Sequence, residues 1–295
     1  MSVRVVTDST SYIPPAVLQH NDITMVSLSV NFDDGTTVRE VDIDSAGFYK
    51  RLSGGKAIPT SSQPSVAEVA DAFRAIVSAG HEVVGVFISS AMSGTFESAS
   101  LARELVLKEV PDATIELVDS RSNSMQLGMC ALEAARVAAE GGDAAAAVEA
   151  ARHAVSRTRF LFTPHDLEYL RRGGRIGGAS ALLGALLQVR PILTVEDGSV
   201  DVFAKVRTKK RAMEAIVSAF ADEIQRAGLV EAVVHHIDDE PEGEQLAGLV
   251  REVTGTDVAI VGIGPVIGLH VGPGTVGLVY RTEEEVAKLH GEAKR

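Results

Sequence analysis

The chain of 295 residues has one cysteine, no tryptophan and few aromatic residues of any kind, at 4%. A single thiol, Cys130, excludes an intrachain disulfide and any zinc cluster built on cysteines. It lies in an apolar stretch with helical patterning, 127–139, which reads it as a buried and inert side chain. No apolar run approaches the ~18 residues that a bilayer-spanning helix requires. The opening segment, MSVRVVTDST, begins directly on a strand pattern without a secretory leader. These absences read as a soluble, cytoplasmic protein with no stable membrane insertion. Positive charge is short as well: 28 Lys and Arg against 40 Asp and Glu leave a net charge of −12. Nucleic-acid backbones are poor partners for such a chain, because phosphate binding draws on an excess of basic residues. With so few rings, a large cavity would be lined by Leu, Ile, Val, Ala and Met, which suits an alkyl ligand slightly better than a base or a sugar.

What is present is an ordinary globular balance, 45% apolar and 23% charged, in a chain long enough for two cores. Over residues 1–156, short β-branched strands alternate with alanine-rich helices. Strands are predicted over 3–6, 24–32, 82–89 and 114–118, and helices over 14–20, 44–52, 66–79, 95–107, 126–140 and 144–155. Such alternation predicts an α/β fold whose N-terminal domain is a doubly wound, mostly parallel sheet. A second α/β domain is predicted over 157–295. Its strands are expected over 159–163, 192–195, 199–206, 232–237, 258–261 and 276–280. Its helices are expected over 164–170, 179–187, 209–227 and 243–253, with a closing charged helix from Glu283. The Asp197-Gly198 pair between two strands signals a hairpin, so this second sheet is mixed.

Chemistry-bearing residues gather in a few segments. After the strand at 82–89, Ser89-Ser90-Ala91-Met92-Ser93-Gly94-Thr95 leads at once into a helix. The N–H groups of a helix start favour an anion, and Ser93 and Thr95 can add hydroxyl donors. The same two residues can instead serve only as helix caps. Thr7-Asp8-Ser9-Thr10, Thr60-Ser61-Ser62-Gln63-Pro64-Ser65 and Asp119-Ser120 are three further hydroxyl-rich turns, each with the same pair of readings. In a doubly wound sheet such turns fall at the carboxyl edge, where ligands bind. Ser93 is not in a nucleophile elbow, since Ala91 and Thr95 stand where glycines would be needed. Asp8 and Asp119 can act as acid or base or simply hold a turn. No residue is assigned a catalytic role, no metal site is expected and no cofactor is implied.

Gly272-x-Gly274-x-x-Gly277 formally matches a dinucleotide fingerprint, but strand-like Leu278-Val279-Tyr280 follows it where a helix would be needed. The glycines there read as turns and close backbone approaches. His270, on a glycine-rich segment read as a strand, is either a core histidine or a hydrogen-bond donor to an anion. His235 and His236 point to opposite faces of a strand and do not form a metal pair. Between Arg157 and Arg211 there are 11 Lys and Arg against 5 Asp and Glu. This basic stretch includes Arg171, Arg172, Arg175, Lys205, Arg207, Lys209, Lys210 and Arg211, and reads as a solvated face or as a docking patch for an acidic partner or phosphorylated ligand.

Six segments in register resemble the DegV family of bacterial fatty-acid-binding proteins. They are Thr7-Asp8-Ser9-Thr10, Ser61-Ser62-Gln63-Pro64-Ser65, Ile88-Ser89-Ser90 with Ser93-Gly94-Thr95, Tyr169-Leu170-Arg171-Arg172-Gly173-Gly174-Arg175-Ile176, Arg190-Pro191-Ile192-Leu193, and Gly264-Pro265-Val266-Ile267-Gly268 through Gly274. The resemblance implies two domains and an acyl chain in an apolar tunnel between or beneath them. It also implies a carboxylate held by Ser61 (with Thr60 or Ser62 adjacent), Ser93 with Thr95, and His270. Family members commonly carry Thr where this chain has Ser61, so the hydroxyl is kept, its rotamer is less constrained, and Thr60 can make the contact instead. The resemblance further implies a partner, the separate ATP-binding subunit of a fatty acid kinase; the basic stretch, at Arg171, Arg172, Arg175 and Arg207, is the candidate docking face for it. The rival readings are a stand-alone serine-type hydrolase and a small-molecule-binding regulator.

Overall fold

The computed structural model describes residues 2–54, 58–183 and 189–289, and the chain forms two compact units. Among the described residues, one holds those up to Ile43 together with Pro59–Val155; the other holds those of 44–58 and those from Ser156 onward.

The first unit runs through β1 (Val3–Asp8), α1 (Pro15–His20), β2 (Ile23–Val26), β3 (Ser29–Asn31) and β4 (Thr37–Arg39). The chain then passes through α2 (Ser45–Gly54), which belongs to the second unit. It returns with β5 (Thr60–Ser62), α3 (Val66–Ser78), β6 (Glu82–Phe87), α4 (Thr95–Glu109), β7 (Ile115–Asp119), α5 (Ser124–Ala139) and α6 (Ala144–Arg157). Strands β2, β1, β6 and β7 form a wholly parallel sheet in that order. The valines of β1 and β6 are buried on both faces, as a sheet covered by helices on either side requires. On one face, Val69, Phe73 and Ile76 of α3 and Ala99, Ala102 and Val106 of α4 close over Val6, Val83 and Phe87. Helix α5 packs on β1 and β6 and carries the buried Cys130.

The strand expected over 24–32 is two strands in two sheets. Its ladder breaks at Leu28, whose N–H donates to the Ser9 hydroxyl (3.1 Å) and whose carbonyl accepts from Glu40 N (2.8 Å). Beyond the break, β3 pairs antiparallel with β4 and β5 in a small sheet of its own.

The second unit continues through β8 (Thr158–Thr163), α7 (Glu168–Arg172), β9 (Arg190–Glu196), β10 (Ser199–Val206) and α8 (Lys209–Ala227). It ends with β11 (Glu231–Ile237), α9 (Glu240–Thr254), β12 (Ala259–Gly262), α10 (Pro265–Val271) and β13 (Thr275–Arg281). Its sheet, β10-β9-β8-β13-β11-β12, is antiparallel except for the β11–β12 pair. The β9–β10 hairpin turns through Asp197 (φ 49°) and Gly198 (φ 86°), the paired positive φ angles that an Asp-Gly turn supplies. Ala212, Ile216 and Phe220 of α8 and Leu246 and Val250 of α9 pack over Leu161, Val234, Leu278 and Tyr280. Among the described residues, no helix is long and apolar enough to cross a membrane.

Four local elements differ from the sequence pattern. Pro164 starts no helix; Asp166 accepts from Glu168 N (2.8 Å) and the helix begins only at Glu168. The helix expected over 179–187 is a 3-10 segment, Gly177–Leu182, and 184–188 lie outside the described residues. Residues 283–289 form no helix, because Glu284 N bonds Ala227 O and Val286 N bonds Ser156 O; residues 290–295 lie outside the described residues. The segment bearing His270 is the helix α10, not a strand. Pro265 stands at its first turn, where a missing N–H costs nothing.

His235 on β11 is buried, with Nδ1 2.8 Å from the Val261 carbonyl. Burial pushes its pKa down to about 4, and His270 is pushed to about 4 as well, first by burial and then by the Arg175 charge. Unfolded, each histidine takes a proton near pH 6.5; folded, neither does until about pH 4. Stability is therefore expected to fall as pH drops through that window, by roughly 3 kcal/mol per histidine. Urea midpoints measured from pH 7 to pH 4.5 should show a shallower loss in His235→Gln than in the parent, and parallel curves would refute the assignment.

Candidate ligand-binding site

Because β1, β6 and β7 are parallel, their carboxyl ends lie at one edge, and most of the hydroxyl-rich turns there are turned inward. Asp8 is fully buried and accepts from Thr10 N (3.0 Å), Thr10 Oγ1 and Ile88 N (2.8 Å). Burial outweighs those bonds and raises its carboxyl to about 6. Asp119 accepts from Ser90 Oγ (2.6 Å) and Arg121 N (2.8 Å). Both aspartates hold turns. Ser9 is likewise engaged, donating to Glu40, which also accepts from the Tyr12 hydroxyl at 2.8 Å.

The Ser-Gln-Pro and Ser-Gly-Thr segments behave differently. Thr60, Ser61 and Ser62 lie on β5, opposite Asn31, Val30 and Ser29 of β3; Thr60 is exposed and the two serines are half-buried. Ser93 Oγ and Thr95 Oγ1 are 2.9 Å apart, and Thr95 N donates to Ser93 Oγ at 3.3 Å. The N-cap of α4 is Gly94, which has no side chain to bond the first turn. Gly94 has φ −74° and ψ 3°, angles open to any residue, so the backbone does not require glycine there. The side chain of Gln63 supplies the reason: a Cβ at 94 would lie 2.8 Å from its Nε2 and 3.1 Å from its Cδ. Gln63 thus lies directly on Gly94 and joins the two hydroxyl turns. Such a cluster can donate to an anion. It is poorly built for hydrolysis, since the partner of the Ser93 hydroxyl is another hydroxyl rather than a base.

In the second unit Gly268 lies inside α10, between its caps Gly264 and Gly272, and leaves one face of the helix bare. Tyr49 of α2 lies on that face, its hydroxyl donating to the carbonyls of Ile263 (2.7 Å) and Gly264 (2.9 Å). Tyr169 of α7 covers Gly272, where a Cβ would come within 2.5 Å of the ring. The His270 imidazole lies against Gly173, and with its pKa near 4 it is neutral at pH 7, a donor without charge. Of the basic stretch, Arg171 and Arg172 are exposed and both pair with Glu168, at 2.7 and 2.6 Å. Arg175 donates to the Gly173 carbonyl, and Arg207 and Arg211 are exposed. Lys209 is drawn inward, bonding Asp239 (3.1 Å), Glu242 and the Gly274 carbonyl (2.9 Å).

A profile of the DegV family ("uncharacterised protein, DegV family") matches residues 2–283. The chain belongs to the DegV family. A DegV domain-containing protein of Clostridium acetobutylicum is 46% identical over 286 residues, 97% of this chain and 100% of that one. A DegV family protein from Thermus thermophilus, solved for its fatty-acid binding, superposes with a TM-score of 0.86 at 30% identity, covering 96% of this chain and 100% of its own. A stearic acid-binding protein from Eubacterium ventriosum gives a TM-score of 0.88 at 29% identity, covering 95% and 98%. Fatty-acid binding is thus a property of DegV proteins with this fold. Within this DegV chain, sequence reasoning singled out the hydroxyls and His270 but missed Gln63 as the side chain on Gly94, Gly173 as the backbone against His270, and Tyr49 and Tyr169 as the rings on Gly268 and Gly272. The four-residue glycine spacing was the available signal for α10; nothing local marks Tyr49.

Proposed function

We propose that this DegV protein binds a long-chain fatty acid whose carboxylate accepts from the hydroxyls of Ser61 and Ser93, with Thr60, Ser62 and Thr95 flanking them. The family resemblance assigns the same role to His270 as a further donor. The observation that carries this reading is the seating of Gln63 on Gly94, which holds two hydroxyl turns together in the first unit. Neutral donors suit the ligand: a carboxylate is costly to bury without hydrogen bonds, and hydroxyls supply them without a competing charge. The affinity comes from the tail, at about 0.8 kcal/mol per methylene buried, well beyond the ordering losses for a sixteen-carbon chain. Native mass spectrometry of the purified protein should reveal a non-covalent adduct that denaturation releases as a long-chain fatty acid. A protein that stays ligand-free after incubation with palmitate would sink the reading.

Gly94→Ala sharpens the test. The new methyl meets only the far end of a flexible side chain, so stability should change by less than about 1 kcal/mol. Gln63 is displaced, however, and palmitate affinity by fluorescence competition should fall about tenfold. Equal affinity would separate Gln63 from the site.

The reading extends to a partner. Presentation of the carboxylate to a separate ATP-binding fatty acid kinase subunit would make this chain the acyl-carrying half of an enzyme, with no catalytic residue of its own. The exposed arginines at 171, 172, 175 and 207 are the docking candidates, and their charge is what an acidic partner face would meet. Arg207→Glu should weaken a kinase complex about tenfold or more while leaving palmitate binding intact. Loss of both together would count against a docking role.

A further inference from the structure

The residue at 173 is glycine for a reason the backbone does not supply. Gly173 has φ −71° and ψ −11°, in the right-handed region open to every L-residue. Its neighbour Gly174, by contrast, sits at φ 70° with nothing within 4 Å of an added Cβ. What excludes a side chain at 173 is His270: a Cβ there would fall well inside van der Waals distance of Nδ1 and 3.4 Å from Cε1.

We propose that Gly173 is a positioning residue for His270, and that its bare backbone is the seat that fixes the imidazole against the loop at 171–175. The ligand role of His270 itself rests on the fatty-acid reading above; the seat does not. The last turn of α10 is gripped from two sides by the segment around α7. Tyr169 covers Gly272, and one turn later in α7 the backbone at Gly173 receives His270. Gly173 N bonds Tyr169 O at 2.8 Å, so the two grips are parts of one rigid turn. Arg175 lies on the same seat, its guanidinium donating to the Gly173 carbonyl, and its charge disfavours a protonated His270. The basic loop at 171–175 and the histidine are therefore a single mechanical unit. A group that engages these arginines acts on the imidazole through Gly173.

The test uses the full chain, stripped of lipid, in wild-type, Gly173→Ala and Gly174→Ala forms, with two readouts: NMR titration of the His270 imidazole and palmitate affinity. In Gly173→Ala the displaced ring should titrate upward from about 4 toward the ordinary value near 6.5, and palmitate should bind about tenfold more weakly. Gly174→Ala strains the same loop without touching the ring, and its titration should match wild type. An unmoved titration in Gly173→Ala overturns the proposal; a moved titration with unchanged palmitate affinity upholds the seat and removes His270 from the ligand site. If Gly173→Ala does not fold, the double variant with His270→Ala should restore folding by removing the ring that the new methyl meets; failure to do so also overturns it. A wild-type chain that binds no palmitate defeats the fatty-acid reading and leaves the seat to be judged by the titration.

Discussion

Gly268→Ala is expected to destabilise the second unit by about 3–5 kcal/mol. A Cβ at this position would lie 2.6 Å from Cε1 of Tyr49 and closer still to its hydroxyl. Tyr49 is buried at 2% exposure, so the ring has no open space to move into. Leaving its place forfeits the bonds to Ile263 and Gly264, made across 214 and 215 positions of sequence. Glycine inside a helix ordinarily costs about 1 kcal/mol relative to alanine, so the substitution would stabilise α10 if the helix stood alone. The opposite sign is the diagnostic. Urea midpoints should fall sharply for Gly268→Ala, and the double variant with Tyr49→Ala should be no worse than Tyr49→Ala by itself, because the clash is gone. An unchanged midpoint in the single variant would show that Tyr49 does not hold α2 on α10.

The second large effect concerns the ligand. In the double variant Ser61→Ala, Ser93→Ala, palmitate affinity should drop by about 10² to 10⁴-fold, since a hydrogen bond to a charged acceptor contributes roughly 1.5–3 kcal/mol. The fold should persist. Ser61 and Ser93 are half-buried, and alanine leaves the β3–β5 ladder intact because its bonds are made by the backbone. Thr95 remains as a donor in this variant, which is why binding is weakened rather than abolished. Palmitate methyl ester offers no carboxylate, so it should bind parent and variant alike. A variant that loses the ester as well has lost its tail site, and one that keeps full acid affinity refutes the assignment of both serines.

Much of the architecture is legible without coordinates. Alternation of β-branched runs with alanine-rich helices suffices for a parallel sheet in the first unit, and Asp197-Gly198 suffices for the hairpin that makes the second sheet mixed. Errors fall where backbone hydrogen bonds are settled by distant partners. Leu28 breaks a strand because its bonding groups go to Ser9 and Glu40. Residues 283–289 carry helix-favouring charge but bond to Ala227 and Ser156 instead. Helix α2 shows no compositional break from its neighbours, yet it packs in the second unit.

The sequence by itself determined the chemistry on offer: hydroxyls and a histidine in a glycine-rich segment, a net negative charge with one basic stretch, aliphatic rather than aromatic core material, and the family to which the chain belongs. Those properties are local, carried by residue types and their spacing. Only the tertiary structure decided which hydroxyls are consumed by the fold and which are joined at a turn, and why glycine stands at 94, 173 and 268. A glycine's reason for being there is the side chain that fills its missing Cβ, and that side chain belongs to a different stretch of the chain, brought to it by packing alone.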